Sequence, residues 1–240
     1  MENKNIVLFK KRCRTPYAEQ CTAFEEYRRF DVTSAGHDPQ FVKDLSPFFI
    51  GPVTASDGEV ASTFESFWQY GKVYPLIYDA DKKVVAGVDE KGDPTPAFWD
   101  WRKRFYASTT KKEVRHPAFP PKIHHRDCLY MVYFEEGKLK KLNYVESRKK
   151  IYVPEYAKLI VNTPSYKKLK EMVEKGEKIG LADFDCWNYY GKDLDLPVTM
   201  AQAVNDPNHK VGHSYVIKML LQGDIEVVDG KVVDHVGILK

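Results

Sequence analysis

At 240 residues with 43% hydrophobic content, the chain is long enough to bury its own core without disulfide or metal staples. A net charge of +3 admits an anionic ligand without demanding nucleic acid. No apolar run approaches the length of a membrane span. The start, Met1 to Ile6, lacks the apolar core of a secretion signal. The cysteines Cys13, Cys21, Cys128 and Cys186 are scattered without a framework. The expectation is a reduced, cytoplasmic protein.

Residues 5–9 (NIVLF) predict a short strand, followed by a basic turn over 10–14. Residues 17–30 carry Tyr17, Cys21, Phe24, Tyr27 and Phe30 at helical spacing, which predicts a helix. Residues 46–52 (SPFFIGP) form a buried-looking segment closed by a Gly-Pro break. A polar turn at 56–58 leads to a helix holding Glu65 to Lys72. Residues 73–88 alternate as strands do, turning at 79–82, and 128–142 predict a hairpin around Glu136 and Gly137. A loop rich in proline and histidine lies between them, at 116–125. Pro154 opens a helix to about Asn162. Thr163 and Pro164 cap and start another, which stops at Gly176. A helix from about Ser214 to Gln222 precedes a terminal hairpin turning at Asp229 and Gly230. With no repeat and no linker, one α+β domain over residues 1–240 is the simplest account.

Within residues 63–72 (TFESFWQYGK), Glu65, Gln69 and Lys72 fall at i, i+4 and i+7, so a helix stacks them on one face. Their neighbours Phe64, Phe67, Trp68 and Tyr70 are aromatic, and polar groups buried there are costly unless paired or used. Either an internal salt-bridge network or a cleft facing a polar ligand satisfies this. A second group is Asp183, Asp185 and Trp187. Carboxylates beside an aromatic ring suit a ribose and a base, while a helix cap with a core tryptophan is the plainer reading. The histidines His116, His124, His125, His209 and His213 have no recognised zinc spacing, so no metal is expected. The basic run from Lys138 to Lys150 is expected to be solvated and to protect a sheet edge. No P-loop, dinucleotide fingerprint or nucleophile elbow is present.

These segments, in this order, resemble the NADAR family of N-glycosidases acting on ribosylated nucleobases. Ile6 to Phe9 and Leu45 to Pro52 are similar to its opening strand and buried FSNFY-like segment. Glu65, Gln69 and Lys72 reproduce the Glu, Gln and Lys of its hallmark helix. Residues 156–179 are similar to a later family helix, Asp185-Cys186-Trp187 to its Asp-x-Trp segment, and 212–221 to its closing helix. The match covers roughly 45–72 and 150–222. It departs at Asn188, where the family has Gly, and in a strand-rich insertion over about 73–150.

The resemblance implies a single, mainly helical NADAR-like domain and hydrolysis of a ribose C1′–N bond, with no cofactor. The implied roles are catalytic for Glu65, Lys72 and Asp185, and substrate-binding for Phe49, Trp68, Gln69, Asp183 and Trp187. The substrate it implies is ADP-ribosylated guanine in nucleic acid. The alternatives are ribosylamino intermediates of riboflavin synthesis, or a nucleotide-binding module without turnover.

Overall fold

Short helices and strands alternate along the whole described chain, in keeping with a mixed α and β composition. The computed structural model describes residues 5–10, 26–110, 113–114, 117–186, 199–208 and 210–240. In chain order, β1 (Ile6–Lys10), β2 (Arg28–Asp31) and α1 (Pro39–Leu45) precede β3 (Val53–Thr54), β4 (Val60–Ala61) and α2 (Phe64–Tyr70). Next come β5 (Lys72–Val73), β6 (Leu76–Tyr78), β7 (Val84–Ala86), α3 (Pro96–Tyr106), β8 (Tyr130–Glu135), β9 (Lys138–Leu142) and α4 (Tyr144–Ser147). A π-helical turn (Arg148–Tyr152) is followed by α5 (Val153–Ile160), α6 (Pro164–Glu174), β10 (Ile179–Asp183), α7 (Met200–Asn205) and α8 (His213–Gln222). The hairpin β11 (Ile225–Val228) and β12 (Lys231–Asp234) follows. The chain divides into two compact units: Met1–Ile50 with Arg148–Lys240, and Gly51–Ser147.

The first unit is organised by β10, which lies between β1 and β2 in a three-stranded, wholly parallel sheet. Lys10 aligns with Asp183 and Asp31 with Ala182, so the C-terminal ends of all three strands share one edge. Being central, β10 buries Ile179, Gly180, Leu181 and Asp183. Helix α8 packs on β1 and β10. Every residue from His213 to Leu221 is buried, which is why the helix is apolar almost all round. Each fully buried aliphatic side chain there contributes roughly 1.5–3 kcal/mol. Two buried polar links fasten the helices. Asp44 of α1 accepts from the backbone N of Ser165 at 3.0 Å and from its hydroxyl at 2.8 Å, and the Tyr156 hydroxyl donates to Leu45 O.

The second unit starts with a small hairpin, β3–β4, whose end caps α2. The Thr63 hydroxyl accepts from Ser66 N at 3.1 Å while Ser66 Oγ accepts from Thr63 N at 3.3 Å, a reciprocal capping box. Helix α2 packs on α3, with Phe67 and Tyr106 rings 6.3 Å apart and Tyr70 stacked on Phe105 at 4.3 Å. Strand β5 pairs with β8, and β8 with β9 around Glu136 and Gly137, both at positive φ. Gly71 joins α2 to β5 where a side chain would not fit: a Cβ there would lie 2.7 Å from Met131 Cε and 3.1 Å from Phe67 O.

Several expectations need correction. Residues 28–30 of the helix predicted over 17–30 belong to β2 instead; residues 17–25 lie outside the described residues. Parallel pairing with β10 overrides the local helical spacing there. Helix α2 ends at Tyr70, so Lys72 belongs to a strand. The stretch 73–150 also contains a full helix, α3, started by a Thr95 cap and Pro96. Helix α1, with Asp38 as its cap, was not anticipated. Arg148 is not part of a solvated basic run: at 1% exposure it donates to the carbonyls of Ala203, Val204 and Asp206 at 3.4, 3.2 and 2.6 Å. It caps the C-terminal end of α7, where carbonyls lack partners within the helix.

Candidate functional site

In the second unit, α2 and the first residue of β5 assemble a polar chain. Gln69 Nε2 donates to Glu65 Oε1 at 2.9 Å, and Lys72 Nζ donates to Gln69 Oε1 at 2.9 Å. The amide therefore links acid to amine by using its donor on one side and its acceptor on the other. Glu65 sits in the first turn of α2, where free backbone N–H groups favour negative charge. Lys72, two residues beyond the end of α2, reaches back to Gln69. Its Nζ lies 4.8 Å from the centroid of the Trp68 ring, a cation–π contact. Glu65, Gln69 and Lys72 are half-buried and Trp68 is buried.

Neighbouring groups in this unit respond to the same setting. The Cys128 thiol is pushed up by burial, against the opposing pull of the Lys72 charge. Tyr70 is raised far above its ordinary value by burial, with Glu113 and Glu65 adding to the effect and Arg104 opposing it. Its hydroxyl donates to Glu113 O. Tyr70 is thus held neutral as part of the aromatic wall.

The first unit brings its own predicted residues to the C-terminal end of β10. Asp183 is 3% exposed, and both carboxylate oxygens are engaged. Oδ2 lies 3.2 Å from His213 Nδ1 and accepts from Ser214 N at 3.2 Å, while Oδ1 accepts from Asp185 N at 3.4 Å. His213 Nε2 lies 2.8 Å from Val32 O. Both ring nitrogens thus face oxygen atoms. Gly212 permits this approach: a Cβ there would lie 2.4 Å from Asp183 Oδ2. Cys186 Sγ and Ser214 Oγ are 3.2 Å apart, and burial pushes the thiol far up. Asp185 is more open, pairing with Lys210 at 3.7 Å with the two side chains 44% and 60% exposed.

Of the predicted residues, Glu65, Trp68, Gln69 and Lys72 are brought together in one unit, and Asp183 and Asp185 in the other. Phe49 is 50% exposed just beyond α1, and Trp187 lies outside the described residues. Sequence reasoning weighed His213 only as a metal ligand with His209 and missed it as the partner of Asp183. The available signal was a glycine, a histidine and a serine opening a helix that is mostly apolar up to Leu221. Among the described residues, no three His, Cys, Asp or Glu side chains are grouped to hold a metal ion, and no helix is long and apolar enough to cross a membrane. Compared with family models, curated proteins and solved structures, the chain finds no match.

Proposed function

We propose that this protein is an N-glycosidase of NADAR type that hydrolyses a ribose C1′–N bond, removing ADP-ribose from guanine in nucleic acid. The observation that carries the reading is the Glu65–Gln69–Lys72 chain beside Trp68. It supplies a half-buried acid and amine, fixed by one amide, beside a buried aromatic ring. Cleavage at C1′ passes through an oxocarbenium-like state, which a carboxylate stabilises. Glu65 takes that role, held in orientation by Gln69. The ammonium of Lys72 suits a substrate phosphate, and Trp68 backs it as an apolar platform. Water adds at C1′ while the base leaves with a proton. Asp185 is assigned acid–base or ribose-binding work and Trp187 base stacking, both from the resemblance.

The test is incubation of the purified chain with DNA carrying ADP-ribosylated guanine, with mass spectrometry for freed ADP-ribose. Release by wild type and loss in Glu65→Gln supports the reading. Release unchanged in a folded Glu65→Gln removes Glu65 from it. No release, with the modified DNA still retained by the protein, identifies a binding module. No release and no retention rejects this substrate and leaves small ribosylamino compounds as the next assay.

A further inference from the structure

The second unit contains a cleft of about 330 Å³ between the β3–β4 turn, α3 and the end of β8, and none of Glu65, Trp68, Gln69 or Lys72 lines it. Local bonds fix its walls. Ser56 Oγ accepts from Phe134 N at 2.7 Å, tying the turn to β8. Asp57 takes both terminal nitrogens of Arg102, with Nη2 at 3.1 Å from Oδ1, tying the turn to α3. The guanidinium also lies 4.4 Å from the Tyr106 ring centroid and 5.5 Å from that of Trp99. Arg102 is 3% exposed, so its charge is internal and is neutralised by Asp57.

The remaining charged groups lining the cleft are Glu59, Asp100 and Lys103, and among the described residues no ion pair engages them. Two carboxylates against one ammonium leave the site net negative. Its apolar part is the half-buried ring pair of Trp99 and Phe134, with centroids 6.1 Å apart and planes at 51°. Aromatic faces carry the negative end of the ring quadrupole, so rings and carboxylates attract the same kind of ligand. Acidic side chains alone would be an ordinary solvated surface. Here they rim a braced concavity with an aromatic lining, at the small end of the range of about 300–1,000 Å³ usual for ligand pockets.

We propose that this cleft binds the cationic side chain of a basic peptide, its stem lying along Trp99 and Phe134 and its charge taken by Glu59 and Asp100. A neutral sugar would also use an aromatic platform, but it would leave the excess negative charge uncompensated. The proposal is independent of the glycosidase reading, since it concerns different side chains.

The test is nuclear magnetic resonance of the ¹⁵N-labelled full chain, following the Trp99 indole N–H assigned with Trp99→Phe. Probes are an acetylated, amidated triarginine peptide, spermidine, the matching triglutamate peptide and methyl glucoside. Triarginine is expected to shift the Trp99 signal saturably and spermidine more weakly. Binding should weaken at least about fivefold in Glu59→Gln/Asp100→Asn, with the rest of the spectrum unchanged. Tighter binding of spermidine than of triarginine overturns the peptide as the source. A shift with glucoside or triglutamate overturns the cationic ligand. So does no shift with triarginine or spermidine, or a shift insensitive to the double variant.

Discussion

Glu65, Gln69 and Lys72 keep contact with solvent, whereas Asp183 and His213 are sealed at 3% and 7% exposure. In the first group the Gln69 amide links acid to amine, and all three side chains are only half-buried. In the second, both carboxylate oxygens and both ring nitrogens are engaged by β10, α8 and Val32 O. The sealed cluster has the geometry of a structural clamp, and the open one that of a site able to meet a ligand. Acids that look alike in sequence are thus separated by how far the fold seals them from solvent.

Breaking the clamp should give the largest stability change. His213→Ala leaves Asp183 buried without its main partner, a loss of about 3–5 kcal/mol for a broken buried pair. Chemical denaturation monitored by circular dichroism measures it. A loss under about 1 kcal/mol would mean that backbone N–H groups alone satisfy Asp183. The matching change on the open face, Glu65→Gln, should behave the other way. Turnover should fall by at least about a hundredfold, equivalent to about 2.7 kcal/mol of barrier, while the melting temperature stays within about 3 °C of wild type. A large fall in melting temperature would make Glu65 a second structural acid and erase the contrast.

Lys72 sharpens the comparison further. With its Nζ on Gln69 Oε1 and over the Trp68 ring, it is expected to act electrostatically, so borohydride during turnover should leave wild type without an adduct. Intact-mass measurement decides this. An adduct present in wild type and absent in Lys72→Ala would establish an imine with the opened ribose instead.

The smallest effect concerns pH. Burial alone would raise Asp57, but the hydrogen bonds and charge of Arg102 hold its carboxyl below the ordinary range. A depressed carboxyl contributes stability above its unfolded value, about 3.9, and loses it as pH falls through the lower folded value. The stability gap between wild type and Asp57→Asn should therefore be constant from about pH 7 to 5 and close only below about pH 4. A gap closing near pH 6 would show that another group governs this pair.

Local rules made much of this chain readable. The cap at Thr163 and Pro164, the stop at Gly176 and the turns at Glu136–Gly137 and Asp229–Gly230 all stand at their expected positions. Each depends on backbone preferences and hydrogen bonds within a few residues. The grouping of Glu65, Gln69 and Lys72 was also legible, because its members lie within eight residues of one another, although Lys72 joins from a strand and not from the helix. Tertiary structure decided the rest. Residues 28–31 became a strand because β10, far along the chain, offered parallel pairing. Lys72 left the helix because β8 claimed its backbone. Asp183 and His213 met because strand and helix pack together. Arg148, in a run of lysines, went inside because the end of α7 offers it three carbonyls. Sequence spacing reports neighbours one or two turns away; a partner thirty or more residues distant is chosen by packing, and burial then determines whether a charge remains available for chemistry.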